Sequence, residues 1–299
     1  MKKNILIIFL YLLAQDSYSQ CNGAAGAFRT NPDGSPGGFV AVTATVDLTV
    51  FTDTTTSICD NSNVLAKAEI KDSAYIGGNA IVFDKATVSG NSIITGNAKV
   101  FGFANVVGNS VIAGNAEVYG ESFVDTDLAV GSEIYGIYGQ AKIADKVKVS
   151  GKSNIKGEAN ILGEAIVIDS LISGRASVKD KAIISNSSIY GEALIYDEAT
   201  INGGEIFEYA QIYGASFIEG NPKVFGSAQI FEDAYVLDEA IIQGAAQVYG
   251  RSIIKGTVSQ NAQVFGDALI ENTGSVGGDA RVYGTSIIID HVSQGDIFE

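Results

Sequence analysis

From Val64 to Val130, every sixth residue of this chain is a β-branched aliphatic: Val64, Ile70, Ile76, Val82, Val88, Ile94, Val100, Val106, Ile112, Val118, Val124 and Val130. No other feature limits the fold so tightly. Two places before most of them stands a small residue, as at Ala68, Ala74, Ala80, Ala86, Ser92 and Ala98, and two places after many comes glycine, as at Gly90, Gly96, Gly102 and Gly108. A helix cannot use this spacing. Residues six apart do not gather on one face of a 3.6-residue turn, and a glycine in every unit costs a helix about 1 kcal/mol each time. A strand can use it. Ala98 and Val100 then point one way and Lys99 and Phe101 the other, and Gly102 turns the chain at backbone angles that other residues adopt only at a cost. Asn91, Asn97, Asn109 and Asn115 are read as corner residues on the same ground, since asparagine tolerates positive φ. A period this short and strict means a solenoid, with three strand–corner units closing a coil of about eighteen residues.

Residues 1–19 read as a secretory signal peptide: Lys2 and Lys3, an apolar run from Ile5 to Leu13, and Ser17-Tyr18-Ser19 as the cleavage site. That run is too short to span a membrane, and no later stretch is long enough. Residues 20–57 form an N-terminal cap. In it, Asn22 to Gly38 reads as loop, with turn signals at Asn31-Pro32-Asp33-Gly34, and Val40 to Val50 alternates as strand. A cap covers the raw edge that a stack of strands leaves open. Cys21 and Cys59 are the only cysteines, and in an exported chain they are expected to pair. Lipidation of Cys21 is the alternative, against which Tyr18-Ser19-Gln20 is a poor match to a lipoprotein signal.

The unit aliphatic–x–Gly–x–Ala/Ser–x, plain in VFGFANVVGNSVIAGNAEVYG, resembles the repeat of the hexapeptide superfamily, whose best-known members are trimeric acyltransferases. The resemblance covers nearly all of the mature chain. It implies an all-β fold, a three-sided left-handed parallel β-helix. Handedness comes from the resemblance alone, because crossovers between parallel strands are ordinarily right-handed. After a disturbance at 131–142, where Ile134 and Ile137 compete for the rung, the hexads resume at Ile143 and run to Ile288. Steps of four or five residues at Ile172, Ile189, Ile206 and Val258 read as trimmed corners. The array, residues 58–290, then holds about thirteen coils, and residues 291–299 leave the pattern as a tail that folds over the open end.

The resemblance implies a fold, but the catalytic inventory of its enzymes is missing. Acyltransferases of this type use a histidine base, and carbonic anhydrases of this type need three histidines around a metal. This chain has one, His291, beyond the last rung. With no stretch read as a pocket-building loop, no enzyme, cofactor or metal is expected. A carboxylate-only mechanism of the sugar-hydrolase kind stays open, because acidic residues are plentiful. The formal charge of −15 repels nucleic acid and anionic membrane. Carboxylate pairs at Asp197-Glu198, Glu232-Asp233 and Asp238-Glu239 read as solvated turns, since a calcium site needs six to eight oxygens converging on one point. Ranks of threonine, the mark of an ice-binding solenoid, occur only near the N-terminus, at Thr43, Thr45, Thr52 and Thr56.

The residue after each aliphatic faces outward, and two columns of these are aromatic. One is Phe83, Phe101 and Tyr119; the other is Tyr196, Tyr213, Phe231, Tyr249, Phe265 and Tyr283. Three readings stand beside one another: rings that stack on their own kind, a protein contact by self-association, or a platform for a surface polysaccharide. The expected function is therefore that of an exported, non-catalytic structural or adhesive protein at or beyond the cell surface. The alternatives are a carbohydrate-binding protein that uses the aromatic columns and a hexapeptide-type transferase.

Overall fold

A computed structural model describes residues 20–120, 136–137 and 140–299. The signal-peptide assignment therefore lies outside the described residues. The chain is all-β and forms parallel stacked coils, about thirteen in number. It divides into two compact units, Met1–Asp145 and Lys146–Glu299.

In the first unit each side of a coil is a strand of two to four residues, and each strand pairs in parallel with the one a coil later. Ile58 lies in register with Ile76, Ile76 with Ile94 and Ile94 with Ile112. Val64, Val82, Val100 and Val118 form a second ladder, and Ile70, Val88 and Val106 a third. The aliphatics and the alanines two places before them are almost completely buried. The coil interior thus takes one rung and one mostly small residue per side, with the buried Val147 before Val149 a larger exception. The second unit repeats the plan. One face is built on Val149, Val167 and Ile184, the next on Ile155, Ile172 and Ile189, and the third on Ile161, Val178 and Ile195. The four short steps read from the sequence (Val167 to Ile172, Ile184 to Ile189, Ile201 to Ile206 and Ile254 to Val258) fall at one corner, between the Val149 and Ile155 faces.

The corners differ from expectation in one respect. The left-handed residue is the one two places after the rung: glycine at Gly90 (φ 73°) and Gly96 (φ 71°), but aspartate at Asp60 (φ 55°), Asp72 (φ 56°) and Asp84 (φ 61°). Asn91, Asn97, Asn109 and Asn115 follow that residue and are not at positive φ. Their amides instead link coil to coil, Asn79 to Asn97 at 3.1 Å, Asn97 to Asn115 at 2.9 Å and Asn91 to Asn109 at 3.0 Å. Such ladders satisfy side chains on neighbouring coils the way amide ladders do in stacked sheets.

Three further boundaries are corrected. Gly26–Thr30 is a strand, not loop, and pairs antiparallel with Pro36–Ala41. Asn31 fixes this hairpin to the coil: its amide donates to the Thr52 carbonyl at 2.9 Å and its carbonyl accepts from the Thr52 N–H at 3.0 Å. Coiling already begins inside the cap, because Val46 is in register with Val64 and Thr52 with Ile70. A disulfide joins Cys21 to the fully buried Cys59, with Cα atoms 5.4 Å apart. The second boundary lies beyond Gly120. Val106 pairs with Ile137 and Ile112 with Ile143, so Ile137 takes a place on the ladder for which Ile134 competed. Val124, Val130 and Ile134 lie outside the described residues. Finally, His291–Val292 and Asp296–Phe298 do not leave the coil path. They continue it as parallel strands beside Ser275–Val276 and Arg281–Tyr283.

Candidate interaction surfaces

Both aromatic columns form. In the first unit Phe83, Phe101 and Tyr119 stack with ring centroids 4.8 Å apart and nearly parallel planes. In the second unit Tyr196, Tyr213, Phe231, Tyr249, Phe265 and Tyr283 stack at 4.8–5.0 Å with planes within 6°. The column continues, tilted by 31°, to Phe298. The cause is the fold itself: coils about 4.8 Å apart set equivalent rings at stacking distance, and each such pair adds about 0.5–1.5 kcal/mol beyond its burial.

The stacking decides what each column offers. Every ring between the ends has both π-faces against another ring, so only ring edges and phenol hydroxyls meet solvent. A sugar packs its C–H groups on a ring face, and in these columns the inner faces are taken. Burial raises the pKa of the Tyr196, Tyr213 and Tyr249 hydroxyls. Asp197 adds to the rise at Tyr196, as do Glu232 and Asp197 at Tyr213. Beside this column runs a glutamine ladder, in which Gln247 donates to Gln229 at 3.3 Å and Gln263 to Gln247 at 3.2 Å.

A third column, Tyr190, Phe207 and Phe225, stacks at 5.0 and 4.8 Å on the corner that follows the Ile155 face. The residue-after-rung rule would have found it, since it follows Ile189, Ile206 and Val224, but the five-residue steps hide its period.

The corner carboxylates have a specific task. Asp60 accepts the Gly78 N–H at 2.8 Å, Asp72 that of Gly90 at 2.9 Å, Asp197 that of Gly214 at 3.1 Å and Glu232 that of Gly250 at 2.9 Å. Each ties one corner to the next coil. Glu198, next to Asp197, pairs with Lys181 at 2.9 Å. Among the described residues no group of three or more His, Cys, Asp or Glu side chains is placed to hold a metal ion. His291 is exposed on the last coil, its Nδ1 3.3 Å from Ser275 Oγ. A cavity of about 530 Å³ opens where the N-terminal hairpin meets the first coils, lined by Asn31, Phe51, Asp53, Glu69 and Lys71 among others. Its Asp53 carboxylate is already engaged by the Asp72 N–H at 2.8 Å. No helix among the described residues is long and apolar enough to cross a membrane. No protein-family model matches this chain, and no curated protein is similar to it.

Proposed function

We propose that this chain is an exported, non-catalytic solenoid of the left-handed hexapeptide type, serving as a structural or adhesive element at or beyond the cell surface. The observation that carries this reading is the use of the outer corners. Rings, asparagines and carboxylates there, and glutamines on the strand beside them, bond or stack to the equivalent residue one coil on. Side chains spent on coil-to-coil cohesion make a rigid, regular surface and leave few groups to converge on a small substrate. The disulfide agrees with export, because such bridges persist in oxidising compartments.

Carbohydrate binding is the second reading, favoured by the polar glutamine ladder running beside exposed ring edges. A glycan array probed with purified protein and with the Tyr213→Ser, Phe231→Ser, Tyr249→Ser triple variant separates the two. The structural reading expects no saturable glycan binding and unchanged retention of both proteins on intact cells of the source. Saturable binding that the triple change abolishes would replace it with the glycan reading, and recovery of the protein only inside the cells would overturn export.

A further inference from the structure

One face of the second unit breaks the inward–outward rule of a solvated strand. On the Val149 face, the residue before the rung points outward, and from Ile166 to Ile287 those residues are Ile, Ile, Thr, Phe, Tyr, Ile, Leu and Ile on successive coils. All are in register, Ile166 on Ile183, Phe217 on Tyr235 and Leu269 on Ile287 among them. Ile183 is 38% exposed, Tyr235 43% and Ile287 62%. The same position on the Ile161 face holds Gln211, Gln229, Gln247 and Gln263. Strands that are apolar on both sides are the kind that are covered on both sides, and an apolar strip of this length, broken at Thr200, marks a contact surface.

We propose that this strip is a self-association surface, on which two copies of the chain pack Val149 face to Val149 face with their second units antiparallel. Size and charge both point to a second copy. Eight coils at about 4.8 Å and a side of about six residues at about 3.3 Å give a face of about 38 by about 20 Å. That is close to the roughly 800 Å² per partner of a standard stable interface.

The rims then choose the direction. Three places before the rung, one rim carries Lys181, Glu198, Arg251 and Asp267, already paired within the chain as Lys181–Glu198 at 2.9 Å and Arg251–Asp267 at 2.8 Å. A two-fold axis along the strands, passing between the Phe217 and Tyr235 coils, lays this rim on itself in reverse order. Lys181 of one copy then faces Asp267 of the other, Glu198 faces Arg251, and on the opposite rim Ile168 faces Ile289. The two internal ion pairs close into a four-charge cluster of alternating sign. With the units parallel instead, one rim lies on the other, and Arg251 meets Lys255 while Asp267 meets Glu271. Like charges oppose that arrangement. The interface is isologous, which closes the assembly at two copies.

The contact is distinct from the aromatic column, which lies at the corner beyond the Ile161 face, and it does not depend on adhesion. Sedimentation equilibrium of the full chain at micromolar concentration is expected to give twice the mass of one chain. Ile183→Lys with Ile253→Lys should weaken association at least 100-fold and give monomer with an unchanged circular dichroism spectrum. Gln229→Lys with Gln247→Lys on the other face should stay dimeric. A wild-type monomer, or a folded Ile183→Lys, Ile253→Lys protein that is still dimeric, overturns the proposal. Should that variant misfold, the rim substitutions Glu164→Cys and Thr285→Cys serve instead. They stand about 34 Å apart within a chain but face each other across the antiparallel interface. The double variant should oxidise to a covalent dimer, and neither single variant should. Absence of that cross-link, or cross-linking by a single variant, overturns the antiparallel arrangement.

Discussion

At the corner residue Gly250, alanine should harm the fold more than the larger aspartate does. Gly250 has φ 73°, and a β-carbon there would stand 2.7 Å from the nitrogen and 3.0 Å from the oxygen of Gly266, one coil on. Alanine meets a left-handed backbone penalty of about 1–2 kcal/mol. It must also push the next corner away, for about 1 kcal/mol more, so about 2–3 kcal/mol is lost. Aspartate meets the same crowding but has a use for it. At the equivalent positions Asp72 and Glu232, a carboxylate takes the N–H of the glycine above at 2.9 Å. Hydrogen bonds to charged groups contribute about 1.5–3 kcal/mol, reduced at an exposed corner to about 1 kcal/mol. Aspartate also tolerates the left-handed region better than alanine. The expected order of stability is therefore glycine, aspartate within about 1 kcal/mol of it, then alanine, with asparagine between the last two. Guanidinium unfolding followed by far-ultraviolet circular dichroism, compared at constant m, measures this order. Hydrogen exchange supplies an independent check, because aspartate should slow exchange at the Gly266 amide and alanine should not. An alanine variant as stable as the aspartate one, with Gly266 exchange the same in both, would refute the idea that corner carboxylates staple coils.

Two further outcomes follow from the chemistry of the second unit and the cap. The Tyr196, Tyr213 and Tyr249 pKa values are raised, chiefly by burial, so the folded state favours the neutral phenol. Their stabilisation is fully present below the ordinary phenol value of about 10 and is lost as pH climbs through the raised values. Phenolate absorbance should show these tyrosines ionising late in the native protein and at the ordinary value in denaturant; a single ordinary transition in both would contradict the stacked column. Breaking the Cys21–Cys59 bridge, which spans 38 residues, should cost about 4 kcal/mol of cap stability. In a solenoid that loss stays local, so Cys21→Ser with Cys59→Ser should speed amide exchange around the hairpin and leave the Ile230 and Val248 strands protected. Equal acceleration along the chain would show that the coils melt as one cooperative unit.

The interior was readable because each inward position meets the same surroundings in every coil. Val100 lies between Val82 and Val118, so one aliphatic size and one alanine recur and the period shows plainly. What the period does not carry is register. Val124 and Val130 keep the count of six, yet Ile137 and Ile143 occupy the next places on the Val106 and Ile112 ladders, because spacing along the chain cannot tell which strand will lie beside which. The carboxylates at the corners look like solvated turns in the sequence for a related reason. Asp72 and Gly90 become partners only when an offset of one coil is laid over the residue types.

The outward surface was half readable. Columns of rings announced themselves, whereas the apolar strip lay hidden in the doublets Ile183-Ile184, Ile253-Ile254, Leu269-Ile270 and Ile287-Ile288, where attention to the rung masks the residue before it. Those doublets still distinguish the faces by physics alone. A strand in water on one side alternates, and one covered on both sides need not. Four successive coils place glutamine before the rung on the Ile161 face, while the Val149 face places an apolar residue there on nearly every coil from Ile166 onward. Backbone, pitch and rung are the same on both, so neither strand propensity nor coil closure accounts for the difference. What remains is the medium each face meets: water for the glutamines and, under the proposed self-association, another apolar surface for the strip.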